Sequence, residues 1–249
     1  MSGQLKRAHV IIPAHNEAER IGDVIEVARQ ANPDSVVTDN IIVVDNDSND
    51  GTNRAARLAG AHTILACGRL GKGWAMRCAA NYIDQSLQER GPLLFLDADL
   101  RNLQPEHVTR LARPVIEGNA LMTIGCLGTR SRLSKSAYDY WGALSGQRCV
   151  SRASFNALRE SDFEAWRIEG ALNAVHRNAG MGRAIQRVEL DGVSHIGQFE
   201  KNGYIQGTVN YARIYLSGLR GLMSTSALPG SGSEHNHQPA LLDFPPLLR

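Results

Sequence analysis

The sequence predicts an α/β fold: one open, mostly parallel sheet flanked by helices, with a mixed C-terminal part. Two observations carry this. Short runs that are apolar throughout recur from His9 to about Gly125, which suits strands buried on both faces. Between them lie stretches of helical period, so the order is β-α-β-α-β-α-β-α-β.

HVIIP, from His9, reads as the first strand. Ile21, Val24, Ile25 and Ala28 then fall on one stripe of a helix, with Asn16 as the expected N-cap and Glu19 at the acidic position of a capping box. IIVVD (Ile41 to Asp45), HTILA (His62 to Ala66), LLFLD (Leu93 to Asp97) and ALMTIG (Ala120 to Gly125) are the further strands. The helices between them run Thr52 to Ala59, Gly73 to Leu87 and Pro105 to Glu117. Past Gly125 the chain turns polar and turn-rich; Ser151 to Leu158 and Ile168 to Arg177 read as helices, Ala184 to Leu190 as a strand and Tyr204 to Met223 as a last helix. That last helix has an aromatic and aliphatic stripe that fits core or a homodimer contact better than a membrane anchor. Residues 224–249, rich in Ser, Gly, Pro and His without periodicity, read as a flexible tail.

Composition narrows the function classes. A chain of 249 residues with 43% hydrophobic and 21% charged residues is ordinary globular protein. A net charge of +2 with scattered arginines gives no electrostatic ground for nucleic acid. No apolar run approaches the ~20 residues needed to cross a bilayer, and the N-terminal run is too short for a signal peptide. Cys67, Cys78, Cys126 and Cys149 form no C-x-x-C pair. A cytoplasmic, reduced protein without membrane contact is the expectation.

In open α/β sheets ligands bind beyond the carboxyl ends of the strands, so the polar residues that close each strand are the ones to read. These are Pro13 to Glu17, Asp45 to Thr52, Gly71-Lys72-Gly73, and Asp97-Ala98-Asp99. On an extended chain Asp97 and Asp99 point to one face, and like charges so close call for a cation beside them. Asn16, Glu17 and Asp45 are acceptors suited to ribose hydroxyls and a base N–H, while Lys72 stands at a helix start that already favours anions. Asp97 and Asp99 suit Mg²⁺ or Mn²⁺, hard ions that take carboxylate together with substrate phosphate. A nucleoside diphosphate with a metal on its pyrophosphate satisfies all these groups. Each cluster has a bland reading as well: an Asx-rich turn, a solvated lysine, a surface acid. Their order along the chain favours the functional one.

VIIPAHNEAERI, VVDNDSNDGT, the GKG loop, FLDADL and the downstream SGQR, RIEGALN and GVSH segments together resemble the family-2 glycosyltransferases of GT-A fold, over about His9 to Gly203. Within that family, GKGWAM, SGQR and the late histidine are most similar to the glucosyl-3-phosphoglycerate synthases and small bacterial relatives. The resemblance implies a metal-dependent transfer of a hexose from a nucleotide sugar, UDP-glucose favoured, to a small anionic acceptor such as 3-phosphoglycerate. It divides residues 1–223 into a nucleotide-sugar half, about 8–125, and an acceptor half, about 126–223.

Residue by residue, the resemblance implies that Pro13, Asn16, Glu17 and Asp45 hold the nucleoside, Gly71 and Lys72 the phosphates, and Asp97 the ribose or sugar. Asp99 and His195 would ligate the metal, Ser145, Gly146, Gln147 and Arg148 would hold the acceptor, and Glu169 would touch acceptor or sugar. The inverting members often carry Glu-Asp where this chain has Glu169-Gly170, which leaves the base and the stereochemical outcome open. The competing readings are transfer to a polyprenyl phosphate or glycan, a nucleotidyltransferase, which would need a Gly-rich basic loop where PAHNE stands, and a nucleotide-sugar-binding protein without turnover.

Overall fold

The computed structural model describes residues 7–68, 70–127, 145–178, 184–195 and 198–228. Strands β1 (Ala8–Ala14), β2 (Val36–Asp45), β3 (Thr63–Ala66) and β4 (Leu93–Phe95) pair in parallel in the order β3-β2-β1-β4. Helices α1 (Ile21–Arg29), α2 (Thr52–Leu58) and α3 (Lys72–Tyr82) connect them, and α4 (Pro105–Ile116) follows. β1 is buried on both faces almost throughout, as are the apolar part of β2 and all of β4, whereas β3, at the edge of the sheet, buries only Leu65. One face packs α1 and α4 through residues such as Ile21, Val24, Ile25, Val108 and Leu111. The other packs α3 through Ala75, Met76 and Ala79, together with Phe155, Phe163 and Leu172 from later in the chain.

The second half departs from a simple βα repeat. The sheet has seven strands, completed beyond β4 by β7 (Arg148–Val150), β6 (Met122–Leu127) and β8 (Ile185–Leu190). β7 is antiparallel to both β4 and β6 and separates them. It is three residues long and carries a charge, so no apolar run announced it. β5 (Leu100–Arg101) and β9 (Ser194–His195) form a separate two-stranded ladder, with Leu100 opposite His195. Helices α5 (Arg152–Asn156), α6 (Ile168–Asn178) and α7 (Gln198–Leu222) follow, with a π-helical turn (Ile83–Leu87) extending α3 and a 3-10 turn (Glu160–Phe163) before α6.

Three expectations are corrected. Asn16 does not cap α1: it adopts φ 56° in the preceding turn, and Arg20 stands at the N-cap with no side-chain cap bond. The strand that was to carry Asp97 ends at Phe95, and Ala98 and Asp99 form a turn, so the aspartates are not a same-face pair on a strand. Nor is the chain loose from residue 224. Ser224, Ser226 and Leu228 are buried; Asn178 Nδ2 donates to both the Ser224 and Ser226 carbonyls at 2.9 Å, and the Ser226 hydroxyl donates to Asp162 at 2.5 Å. A polar, aperiodic segment is ordered here because side chains of the body bind its backbone. Residues 229–249 lie outside the described residues.

Candidate active site

β1 and β4 are neighbours although β2 and β3 lie on the far side of β1, so the sheet's direction of winding reverses between them. A crevice at the carboxyl ends of such a pair is where this architecture binds ligands. The turn after β1 is stitched to the turn after β2 residue by residue. The Asn46 N–H donates to the Ala14 carbonyl at 2.9 Å and the Asn16 N–H to the Ser48 hydroxyl at 3.0 Å. The Asn49 N–H donates back to Asn16 Oδ1 at 3.0 Å, and the Glu17 N–H to the Thr52 hydroxyl at 2.8 Å. Asp45, at the end of β2, accepts from the Ser48 N–H at 3.0 Å, so the Asx-turn role is real. Burial would raise the Asp50 carboxyl, but bonds from the Thr52 hydroxyl and the Ala18 and Thr52 N–H groups outweigh it and hold it below the usual carboxylate range. Pro13, Asn16, Glu17 and Asp45 are thus brought to one rim of the crevice.

The GKG loop is held to the same rim by Asn46, a member of the Asp45 to Thr52 cluster to which the sequence assigned no role of its own. Asn46 Oδ1 accepts from the N–H groups of Leu70 at 3.1 Å and Gly71 at 3.3 Å. The only sequence signal was an asparagine next to Asp45. Gly71 has φ 95° just before α3, a backbone state that favours glycine.

At the floor, Lys72 bridges two acids. Its Nζ lies 2.6 Å from Asp97 Oδ1 and 3.0 Å from Glu169 Oε1. The cation expected beside the aspartate is therefore Lys72, and it also reaches the acid of α6. Burial alone would lower the Lys72 ammonium, but Asp97 and then Glu169 outweigh it and hold it above the ordinary lysine range. Burial would likewise raise Asp97; the Lys72 charge, hydrogen bonds from Lys72 and Gln147, and His195 together hold it below the usual range. Gln147 donates to Asp97 Oδ2 at 2.6 Å and its Oε1 accepts from the Ser145 hydroxyl at 2.7 Å. Gly146 lies directly on this group: a Cβ there would meet Lys72 Nζ at 2.3 Å and Asp97 Oδ2 at 2.6 Å. Glu169 Oε2 is buried without a hydrogen-bond partner, a carboxylate oxygen at the site that a ligand donor would satisfy.

Arg148 is placed differently from the acceptor role expected of it. Its side chain is fully buried beneath the crevice; Nε donates to the Ser145 carbonyl at 2.6 Å, and Nη1 donates to the Glu169 carbonyl at 3.1 Å and to Asn173 Oδ1 at 3.0 Å. Burial pulls its pKa down to about 10, against the opposing pull of Glu169 and Asp97. Arg148 ties the 145–147 turn to α6 from below and does not offer its guanidinium to an incoming anion. The residue after Glu169 is also constrained. A Cβ at Gly170 would meet the Gly218 carbonyl at 2.3 Å, so α7 occupies the space that the acid of a Glu-Asp pair would need.

Asp99 directly precedes Leu100, which lies opposite His195 in the β5–β9 ladder, so the two residues stand at neighbouring places at this end of the sheet. Among the described residues no group of three His, Cys, Asp or Glu side chains could hold a metal ion. Of the two, the carboxylate suits Mg²⁺ or Mn²⁺, which commonly take one or two protein carboxylates and complete their shell with substrate phosphate and water, whereas an imidazole suits softer ions better than Mg²⁺. No helix among the described residues is long and apolar enough to cross a membrane.

The family model for glycosyl transferase family 2 matches residues 9–184. The chain belongs to this family. A relative in Haloferax volcanii, glycosyltransferase AglJ, is 30% identical over 164 residues, covering 59% of this chain and 50% of the relative. The 4,4'-diaponeurosporenoate glycosyltransferase of Staphylococcus haemolyticus is 26% identical over 85% of this chain and 57% of its own length. The chain thus spans about half the length of these curated relatives. Glucosyl-3-phosphoglycerate synthase from Mycobacterium tuberculosis, solved with Mn²⁺, UDP and glucosyl-3-phosphoglycerate, superposes with a TM-score of 0.66 at 21% identity, covering 87% of this chain and 80% of that one. The fold of this family-2 chain is accordingly GT-A.

Proposed function

We propose that the chain is a glycosyltransferase that moves a hexose from a nucleoside-diphosphate sugar, UDP-glucose by preference, to a small anionic acceptor such as 3-phosphoglycerate. The observation that carries this reading is Lys72 between Asp97 and Glu169 at the crevice floor, because it joins the element closing the donor strands to the helix on the acceptor side. The mycobacterial synthase, named for that acceptor and solved with UDP-glucose, supports the choice of substrates.

In this reading Pro13, Asn16, Glu17 and Asp45 hold the nucleoside, Gly71 and Lys72 receive the diphosphate, and Asp97 faces the sugar. Asp99 and His195 hold Mg²⁺ or Mn²⁺, which when bound stabilises the negative charge that develops on the leaving diphosphate. Lys72 adds a fixed positive charge at the same place. Ser145, Gly146 and Gln147 present the acceptor, and Glu169 Oε2 takes a hydrogen bond from its hydroxyl. If the sugar is transferred with inversion, Glu169 also accepts the hydroxyl proton, since no second acid fits at position 170. Residues of about 8–125 form the donor half and about 126–223 the acceptor half.

The test is nucleoside diphosphate release from UDP-, GDP- and ADP-sugars with Mn²⁺, with Mg²⁺ and without metal, each with and without 3-phosphoglycerate. Metal-dependent release from UDP-glucose, raised by 3-phosphoglycerate and lowered on the order of 10²–10³-fold by Asp99→Ala, is the expected result. Silence from every donor, with nucleotide still bound, would turn the reading to a binding protein.

One observation favours transfer to a polyprenyl phosphate or other apolar acceptor as the second reading. Leu70 and Trp166 are 54% and 39% exposed, and they flank Gly71 and Ala165, which approach each other at the crevice. Release stimulated by a polyprenyl phosphate in detergent and not by 3-phosphoglycerate would establish that reading instead.

A further inference from the structure

The transfer reading makes no use of Cys67 and Cys78, two half-buried thiols that bracket the GKG loop. Cys67 follows β3 directly and Cys78 lies in α3, so the chain between them contains Gly71, Lys72 and the first turn of α3. Cys67 Sγ is 3.8 Å from the Trp74 carbonyl oxygen. In an α-helix that carbonyl accepts the N–H of the residue four positions on, which here is Cys78. Cys67 is therefore turned onto the very helical turn that carries the second thiol. Both side chains and Trp74 between them pack on the same apolar cluster. Cys126 and Cys149, by contrast, are buried.

We infer that Cys67 and Cys78 are a redox-modification site, an oxidisable dithiol whose disulfide would span the GKG loop. The reactant class is a two-electron oxidant such as a peroxide. One thiolate attacks the peroxide oxygen, the O–O bond breaks and water leaves after proton transfer, giving a sulfenic acid. The second thiol then attacks that sulfur, the S–S bond forms and a second water is released; both sulfurs are oxidised and the peroxide is reduced. The proximity of Cys67 holds the Cys78 thiol below the ordinary range against the opposing effect of burial, whereas Cys67 is raised by its neighbour and by burial. Cys78 is thus the group that supplies the first thiolate. The closed loop would hold Gly71 and Lys72 in one arrangement against α3.

Peptide mapping tests this without reference to sugar transfer. The folded full chain is treated with stoichiometric hydrogen peroxide, its remaining thiols are blocked with N-ethylmaleimide, and it is digested with trypsin, which cuts after Arg69, Lys72 and Arg77 and so separates the two cysteines. The expected result is a cross-linked pair of peptides joining Cys67 to Cys78, lighter by two hydrogens than their sum and released by dithiothreitol. Hydrogen exchange at Leu70 to Lys72 should slow in the oxidised form. Cys67→Ser should leave Cys78 as a sulfenic acid that dimedone captures, and Cys126→Ser should change nothing. Separate over-oxidation of Cys67 and Cys78 in the folded chain, or cross-linking to Cys126 or Cys149 in equal amount, would overturn the inference. So would equal cross-linking in denaturant, because the pairing would then owe nothing to the fold.

Discussion

The two rims of the crevice are built by different means. On the donor rim, turns after β1 and β2 satisfy one another through short polar side chains, and nearly every bond is between a backbone N–H and an Asn, Asp, Ser or Thr close to a strand end. At the floor and on the acceptor rim two charged groups, Lys72 and Arg148, do the joining. Lys72, Asp97, Gln147, Glu169, Arg148 and Asn173 come from distant parts of the chain and bond one another in a largely buried network that leaves Glu169 Oε2 without a partner. Many weak local bonds tolerate the loss of one. A low-dielectric network does not, because each lost partner leaves a charge or polar atom buried without compensation.

Removing the cation is the strongest way to break this contrast. Lys72→Ala leaves Asp97 and Glu169 facing each other, and should cost on the order of 3 kcal/mol in a denaturant titration, together with most nucleoside diphosphate release. Gly146→Ala leaves every charge in place and attacks only space. A Cβ within 2.3 Å of Lys72 Nζ must displace the lysine or the turn, at a cost of about 1–3 kcal/mol with a larger fall in transfer than in nucleotide affinity.

Asn46→Ala tests the donor rim by the same measurements. It removes the acceptor for the Leu70 and Gly71 N–H groups, and since those can turn to water the loss should be near ~1 kcal/mol. Its main effect should be a raised KM for the donor with kcat little changed. If Asn46→Ala proved as costly as Lys72→Ala, the division between a tolerant rim and an intolerant one would fail.

The smallest effect is one of pH. The folded pKa of Asp97 lies below its unfolded value, so the native state binds this proton less readily. Its contribution is complete above the unfolded carboxylate pKa of about 3.9 and is lost as pH falls through the lower folded value. Lys72 has the opposite sign: its folded pKa is raised, so its contribution is complete below the unfolded lysine value of about 10.4 and is lost as pH rises beyond it. The difference in melting temperature between the wild type and Asp97→Asn should therefore be flat through neutral pH and narrow below about pH 4.

Local sequence specified the parallel core: apolar runs marked β1 to β4, buried on both faces in β1, β2 and β4 and half-exposed at the edge strand β3, and the stripe of Ile21, Val24, Ile25 and Ala28 marked α1, because period is a property of neighbours in the chain. The strand-end rule then brought Asn16, Glu17, Asp45, Lys72 and Asp97 to one crevice. What neighbours in the chain could not specify was who faces whom. That Asp97 turns to Lys72, and that His195 from far along the chain comes to lie opposite Leu100, follows from the early end of β4 and from the β5–β9 ladder. That Arg148 lies beneath the site, and that 224–228 is ordered, depends on carbonyls, side chains and helices far away in sequence. A buried polar group is placed by whichever distant partners satisfy it, and only the packed chain brings those partners within hydrogen-bonding distance.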